Sequence, residues 1–95
     1  MSKKVVVLIK DELRQYEGLR ASLGLLLEDH AVSMVVLNHE IKLTEEYEDN
    51  LGFVEEMGGE RLSNVEANVQ KHGFQAVTLE ELAGRLADYE LVVPF

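Results

Sequence analysis

The chain has 95 residues, with 9 Lys plus Arg against 18 Asp plus Glu, a formal net charge of −9. A single domain of this length leaves no room for a second core, and 46% hydrophobic residues mark a globular chain rather than a disordered one. The absence of cysteine excludes disulfides, thiolate zinc sites, iron–sulfur clusters and a cysteine nucleophile, and the acidic surplus opposes binding to nucleic acid and to anionic membrane surfaces.

Val5 to Ile9 is a continuous β-branched run flanked by charge, the pattern of a strand buried on both faces of a parallel sheet. It is also the longest apolar run, far short of the roughly 20 residues that span a bilayer. Lys3 and Lys4 before it imitate the start of a signal peptide, but Lys10, Asp11 and Glu12 break the apolar stretch too early. These features predict one cytoplasmic domain over residues 1–95.

From Tyr16 to Asp29 the period becomes helical: Leu19, Leu23, Leu26 and Leu27 make one stripe opposite Glu17, Arg20 and Glu28. Gly18 and Gly24 cost this helix roughly 1 kcal/mol each against Ala, which close approach to a sheet would explain. Ala31 to Leu37 is a second buried strand. Thr44 caps a second helix with Glu45, Glu46 and Glu48 in its first turn. Tyr47, Leu51, Val54 and Met57 form its apolar face, and Gly58-Gly59 ends it. A short strand follows around Glu60 to Leu62. Ser63 with Glu66 spells a capping box for a short third helix that Gly73 closes. Phe74 to Val77 reads as a strand. Thr78 with Glu81 spells another capping box, and Leu79, Leu82 and Leu86 form the stripe of a fourth helix. Glu90 to Phe95 is the last strand, with Pro94 near its end, where a missing donor matters least. This alternation predicts a three-layer α/β/α sandwich with a mainly parallel sheet of about five strands.

In such sheets ligands bind outside the carboxyl ends of the strands. Those ends carry Lys10 and Asp11, then Asn38, His39 and Glu40, then Ser63 and Asn64, then Thr78. No glycine-rich dinucleotide or phosphate loop and no G-x-S-x-G elbow occurs. Asp11, His39 and Glu40 are candidates for a divalent-metal or general-base cluster, against the plainer reading of a solvated loop. His30 and His72 stand near helix C-termini, where the dipole favours an imidazolium. The Ser63-Asn64-Val65-Glu66 turn is a candidate anion site or simply a cap. Ser63 as a nucleophile lacks a His–Asp relay in sequence.

Several segments carry a family resemblance. The opening Lys-Lys-Val-Val-Val-Leu-Ile, the Leu-rich first helix and Val-Ser-Met-Val-Val-Leu-Asn are similar to the DsrE/DsrF-like family of small sulfur-relay proteins. The similarity continues through Arg61-Leu62-Ser63-Asn64-Val65, Lys71-His72-Gly73-Phe74 and Val77-Thr78-Leu79-Glu80-Glu81-Leu82 to the closing Asp88-Tyr89-Glu90-Leu91-Val92-Val93-Pro94-Phe95. The resemblance implies a DsrEFH-like fold and assembly as a homo-oligomer (trimer or hexamer) or a hetero-oligomer with a cysteine-bearing paralogue. Catalytic members hold a persulfide on a cysteine about eight residues before the helix-closing glycine, which corresponds here to Val65, beside Ser63 and Asn64. A persulfide needs a thiolate sulfur. The resemblance therefore implies a non-catalytic member, with no catalytic residue, metal or cofactor. The alternative is a small-molecule or divalent-metal-binding α/β domain using Asp11, Asn38, His39 and Glu40.

The acidic surplus is local. Residues 40–60 hold eight acids and one base, −7 of the total −9, as a solvated outer face or as a docking surface for a basic partner.

Overall fold

The structure is a computed structural model and describes residues 2–95. Five strands, β1 (Lys4–Ile9), β2 (Ala31–Val36), β3 (Glu60–Ser63), β4 (Gln75–Ala76) and β5 (Leu91–Pro94), form one sheet. Every pairing is parallel, and the strand order is β4-β3-β2-β1-β5. The helices between them are α1 (Gln15–Leu27), α2 (Glu45–Glu56), α3 (Glu66–His72) and α4 (Leu79–Arg85). The predicted alternation of strands and helices is all present.

The sheet is apolar on both faces because the helices divide between them. Val5, Val7 and Ile9 pack with Met34 and Val36 against Leu19 and Leu26 of α1 and Tyr47, Leu51 and Val54 of α2. Val6, Val35 and Leu62 point the other way, onto Leu82 of α4 and Tyr89. Successive residues of one strand thus serve opposite cores, which explains the unbroken apolar runs. Each fully buried aliphatic side chain contributes about 2 kcal/mol.

Gly18 fulfils the close-approach expectation: a Cβ there would overlap the Ile9 side chain. Gly24 does not, since a Cβ there meets open space. The stripes are also narrower than the spacing suggests. Leu27 is 74% exposed, Leu79 is exposed at the first turn of α4, and Met57 is the half-exposed C-cap of α2.

Thr44 caps α2 through Tyr47 N, and Thr78 with Glu81 makes the full capping box of α4. The Ser63–Glu66 box does not form. Ser63 ends β3 and the N-cap of α3 is Val65, with no side-chain cap. His30 serves the sheet rather than a helix dipole: its Nδ1 accepts the Lys3 N–H at 3.0 Å. At the sheet edge, Pro94 has no N–H to offer Leu8, its register partner, and the Phe95 N–H donates to the Leu8 carbonyl instead. No helix among the described residues is long and apolar enough to cross a membrane.

Candidate functional site

Adjacent strands β3 and β4 send their helices to opposite faces of the sheet: α3 packs its Val69 with the α1–α2 core, and α4 lies on the other side. The chain therefore parts at the carboxyl ends of these two strands, the kind of switch point where α/β sheets open a crevice. A cavity of about 380 Å³ occurs there. Asn64, Val65 and Val69 line one wall, and Val77, Thr78 and Glu81 line the other.

Ser63 also borders this cavity, but its hydroxyl is fully buried and fully engaged. Oγ donates to the Val36 carbonyl at 2.8 Å and accepts from Val65 N at 3.1 Å and Asn68 Nδ2 at 3.0 Å. One proton and two lone pairs are all a serine has, so neither capping of α3 by a box nor nucleophilic attack fits this side chain.

Asn64 and Asn38 pair reciprocally. Asn64 Oδ1 accepts from Asn38 N, and Asn64 Nδ2 donates to Asn38 Oδ1, both at 2.8 Å. Asn38 sits at φ 66°, a left-handed conformation that asparagine tolerates better than most residues. His39 Nδ1 lies 2.9 Å from the Leu37 carbonyl, which makes it the N–H donor. Its Nε2 is shut away from water with no hydrogen-bond partner among the described residues.

Asp11 and Glu40 take no part in this arrangement. Asp11 Oδ1 accepts from Leu13 N at 2.9 Å and so caps a 3₁₀ turn over Glu12–Arg14. Glu40 is exposed. The expected Asp11–His39–Glu40 cluster does not assemble: among the described residues no group of three or more His, Asp or Glu is placed to hold a metal ion. The mouth between β1 and β5 is closed as well, because the Phe95 carbonyl oxygen accepts from Lys10 N and Asp11 N while the Arg14 guanidinium covers the Phe95 ring at 5.0 Å.

The organiser of the carboxyl-end loops is Asn68, which sequence reasoning missed. It is fully buried in α3. Its Oδ1 accepts from Ile41 N and its Nδ2 donates to the His39 carbonyl and to Ser63 Oγ, each at 3.0 Å. A signal existed: Asn68 stands beside Val69 and three residues after Val65, on the inward face of its helix. A second missed group lies toward the opposite end of the sheet. Tyr89 OH donates to Ser33 Oγ at 2.7 Å, Ser33 Oγ donates to Glu60 at 2.7 Å, and Arg85 joins Glu60 at 3.0 Å and Tyr89 OH at 3.1 Å.

Two phenols are perturbed. A hydrogen bond to the Glu46 carboxylate, helped by burial and by the charge of Glu46, holds the Tyr16 hydroxyl above its ordinary pKa, with Asn50 and Arg20 opposing. Burial alone pushes Tyr47 up, and its OH has no hydrogen-bond partner among the described residues. Neither residue borders the β3–β4 cavity. No protein-family model, curated protein or solved structure matches this chain.

Proposed function

We propose that this chain is a non-catalytic domain of the DsrE/DsrF type that works by assembly, as a homo-oligomer or as a subunit beside a cysteine-bearing relative. The observation that carries this reading is Val65. It lines the β3–β4 cavity at the position where the resemblance calls for a persulfide cysteine, and an isopropyl side chain offers no sulfur to transfer. The neighbouring hydroxyl, Ser63, is already engaged three times over. Exposed Leu91 and Val92 on the edge strand β5 supply apolar surface for association. Sedimentation velocity at micromolar concentration tests the proposal, with an oligomer expected alone or on mixing with a cysteine-bearing relative. A monomer under both conditions overturns it.

A second reading is favoured by the cavity itself: a small-molecule-binding domain whose site is the β3–β4 mouth rather than Asp11, His39 and Glu40. A volume of about 380 Å³ falls within the range of small-ligand sites, and Asn64 on one wall and Thr78 with Glu81 on the other are polar groups held in place by hydrogen bonds.

A further inference from the structure

A second cavity, of about 340 Å³, opens between α2 and the C-terminal end of α3. Its two walls differ in charge. Arg61, Lys71 and His72 come from β3 and α3, whereas α2 contributes Glu48 and Glu55 at the rim.

Arg61 is the unusual member. Opposite Met34 in the β2–β3 register, it points to the α1–α2 face of the sheet, and its side chain is only 15% exposed. A guanidinium carries five N–H donors in a flat fork and matches carboxylates best through two parallel bonds. Here its one ion pair among the described residues is a single contact of 3.4 Å with Glu55, whose side chain is 69% exposed. Glu55 thus marks what Arg61 accepts, a carboxylate, while holding it loosely from the surface. Beside this anchor lie Leu43 and Leu51, and Gly52, where a Cβ would meet nothing within 4 Å.

We propose that this cavity binds a small monocarboxylate with a short apolar body, its carboxylate replacing Glu55 against Arg61 and its body resting on Leu43 and Leu51 beside Gly52. Lys71 adds a second positive charge at the same wall. The rim carboxylates of Glu48 and Glu55 select against multiply charged anions. The volume suits a ligand of benzoate or hexanoate size.

Amide chemical-shift titrations of the whole chain with sodium benzoate, hexanoate and inorganic phosphate, at constant ionic strength, test the assignment. Benzoate and hexanoate are expected to shift amides of α2 and α3 saturably, and phosphate is not. Glu55→Gln removes the internal competitor and is expected to tighten binding about three- to tenfold. Arg61→Gln is expected to abolish it, as is Gly52→Leu, which fills the space while adding a good helix former. Unshifted amides of β1 and β2 report an intact fold in each variant. Should Arg61→Gln fail to fold, Gly52→Leu decides alone. Three results each overturn the proposal: no saturable shift in wild type and Glu55→Gln, undiminished binding in Arg61→Gln or Gly52→Leu, or phosphate binding as tightly as benzoate.

Discussion

The side-chain amide of Asn68 donates to Ser63 Oγ at 3.0 Å from inside α3, and so ties the helix to the last residue of the strand that precedes it. The same amide holds the backbone of His39 and Ile41, so one buried side chain fixes two of the loops at the carboxyl end of the sheet. Asn68→Ala leaves the Ile41 N–H and the His39 carbonyl without their partner, at a cost of about 2–4 kcal/mol. Denaturant unfolding measures the loss, and hydrogen exchange should show the loop over residues 38–43 opening first. An unchanged midpoint would show that water replaces the amide.

Glycines in α1 provide an internal comparison. Gly18→Ala drives a methyl group into Ile9 and is expected to destabilise by about 1–3 kcal/mol despite the gain in helix propensity. Gly24→Ala meets open space and is expected to stabilise by about 1 kcal/mol. Adding Ile9→Val to Gly18→Ala removes Cδ1 but keeps the nearer Cγ1, so it should not restore stability, and thermal unfolding of the three variants measures all of these effects.

Val65→Cys puts a thiol on the wall of the β3–β4 cavity in a chain that has no other. The folded variant is expected to react with a thiol reagent, and to gain the mass of one sulfur atom from a small persulfide donor. Wild type serves as a blank. A thiol that reacts only after denaturation would show that this wall is closed to reagents.

Stability should fall in alkali. The Tyr16 phenol has a folded pKa above its ordinary 10.0, chiefly through its hydrogen bond to Glu46, and burial raises Tyr47 as well. Between the unfolded and the folded pKa, the folded chain holds more protons than the unfolded one. The stability from these phenols is therefore complete below pH about 10 and declines as pH rises through the folded values. Tyr16→Phe should flatten the decline that begins at about pH 10, the ordinary phenol value. An unaltered slope, measured by urea unfolding at each pH, would remove Tyr16 from the account.

Tyr89→Phe removes the hydroxyl that links Ser33 with Arg85. It should cost about 1–2 kcal/mol, since Ser33 is buried. A double-mutant cycle with Ser33→Ala should then show coupling, because the two groups share one network.

Much of the architecture was legible because strand and helix periods are local. Val5 to Ile9, the Leu19 and Leu26 positions, and the caps at Thr44 and Thr78 each announce their role within a few residues. Local spacing misleads where the true partners lie far apart in sequence. Ser63 and Glu66 have the spacing of a cap, but β2 pairing aims the serine at Val36. Asp11, His39 and Glu40 all lie at carboxyl ends of strands, yet Asp11 answers its own turn and Glu40 faces water. The β3–β4 cavity depends on which helix goes to which face, and that follows from strand order. Arg61 looks like any surface cation until the β2–β3 register turns it inward.

The place of β5 beside β1 has a consequence for how the chain folds. The Lys4 carbonyl waits for an N–H from Glu90, 86 residues on, so the second edge of β1 stays open until β5 is available. Closing such a loop taxes the folding rate more than the final stability. Until β5 docks, β1 is a bare apolar template for pairing between chains. A chain ending before Leu91 should therefore aggregate during refolding, while Lys3 and Lys4 at the head of β1 act as its gatekeepers.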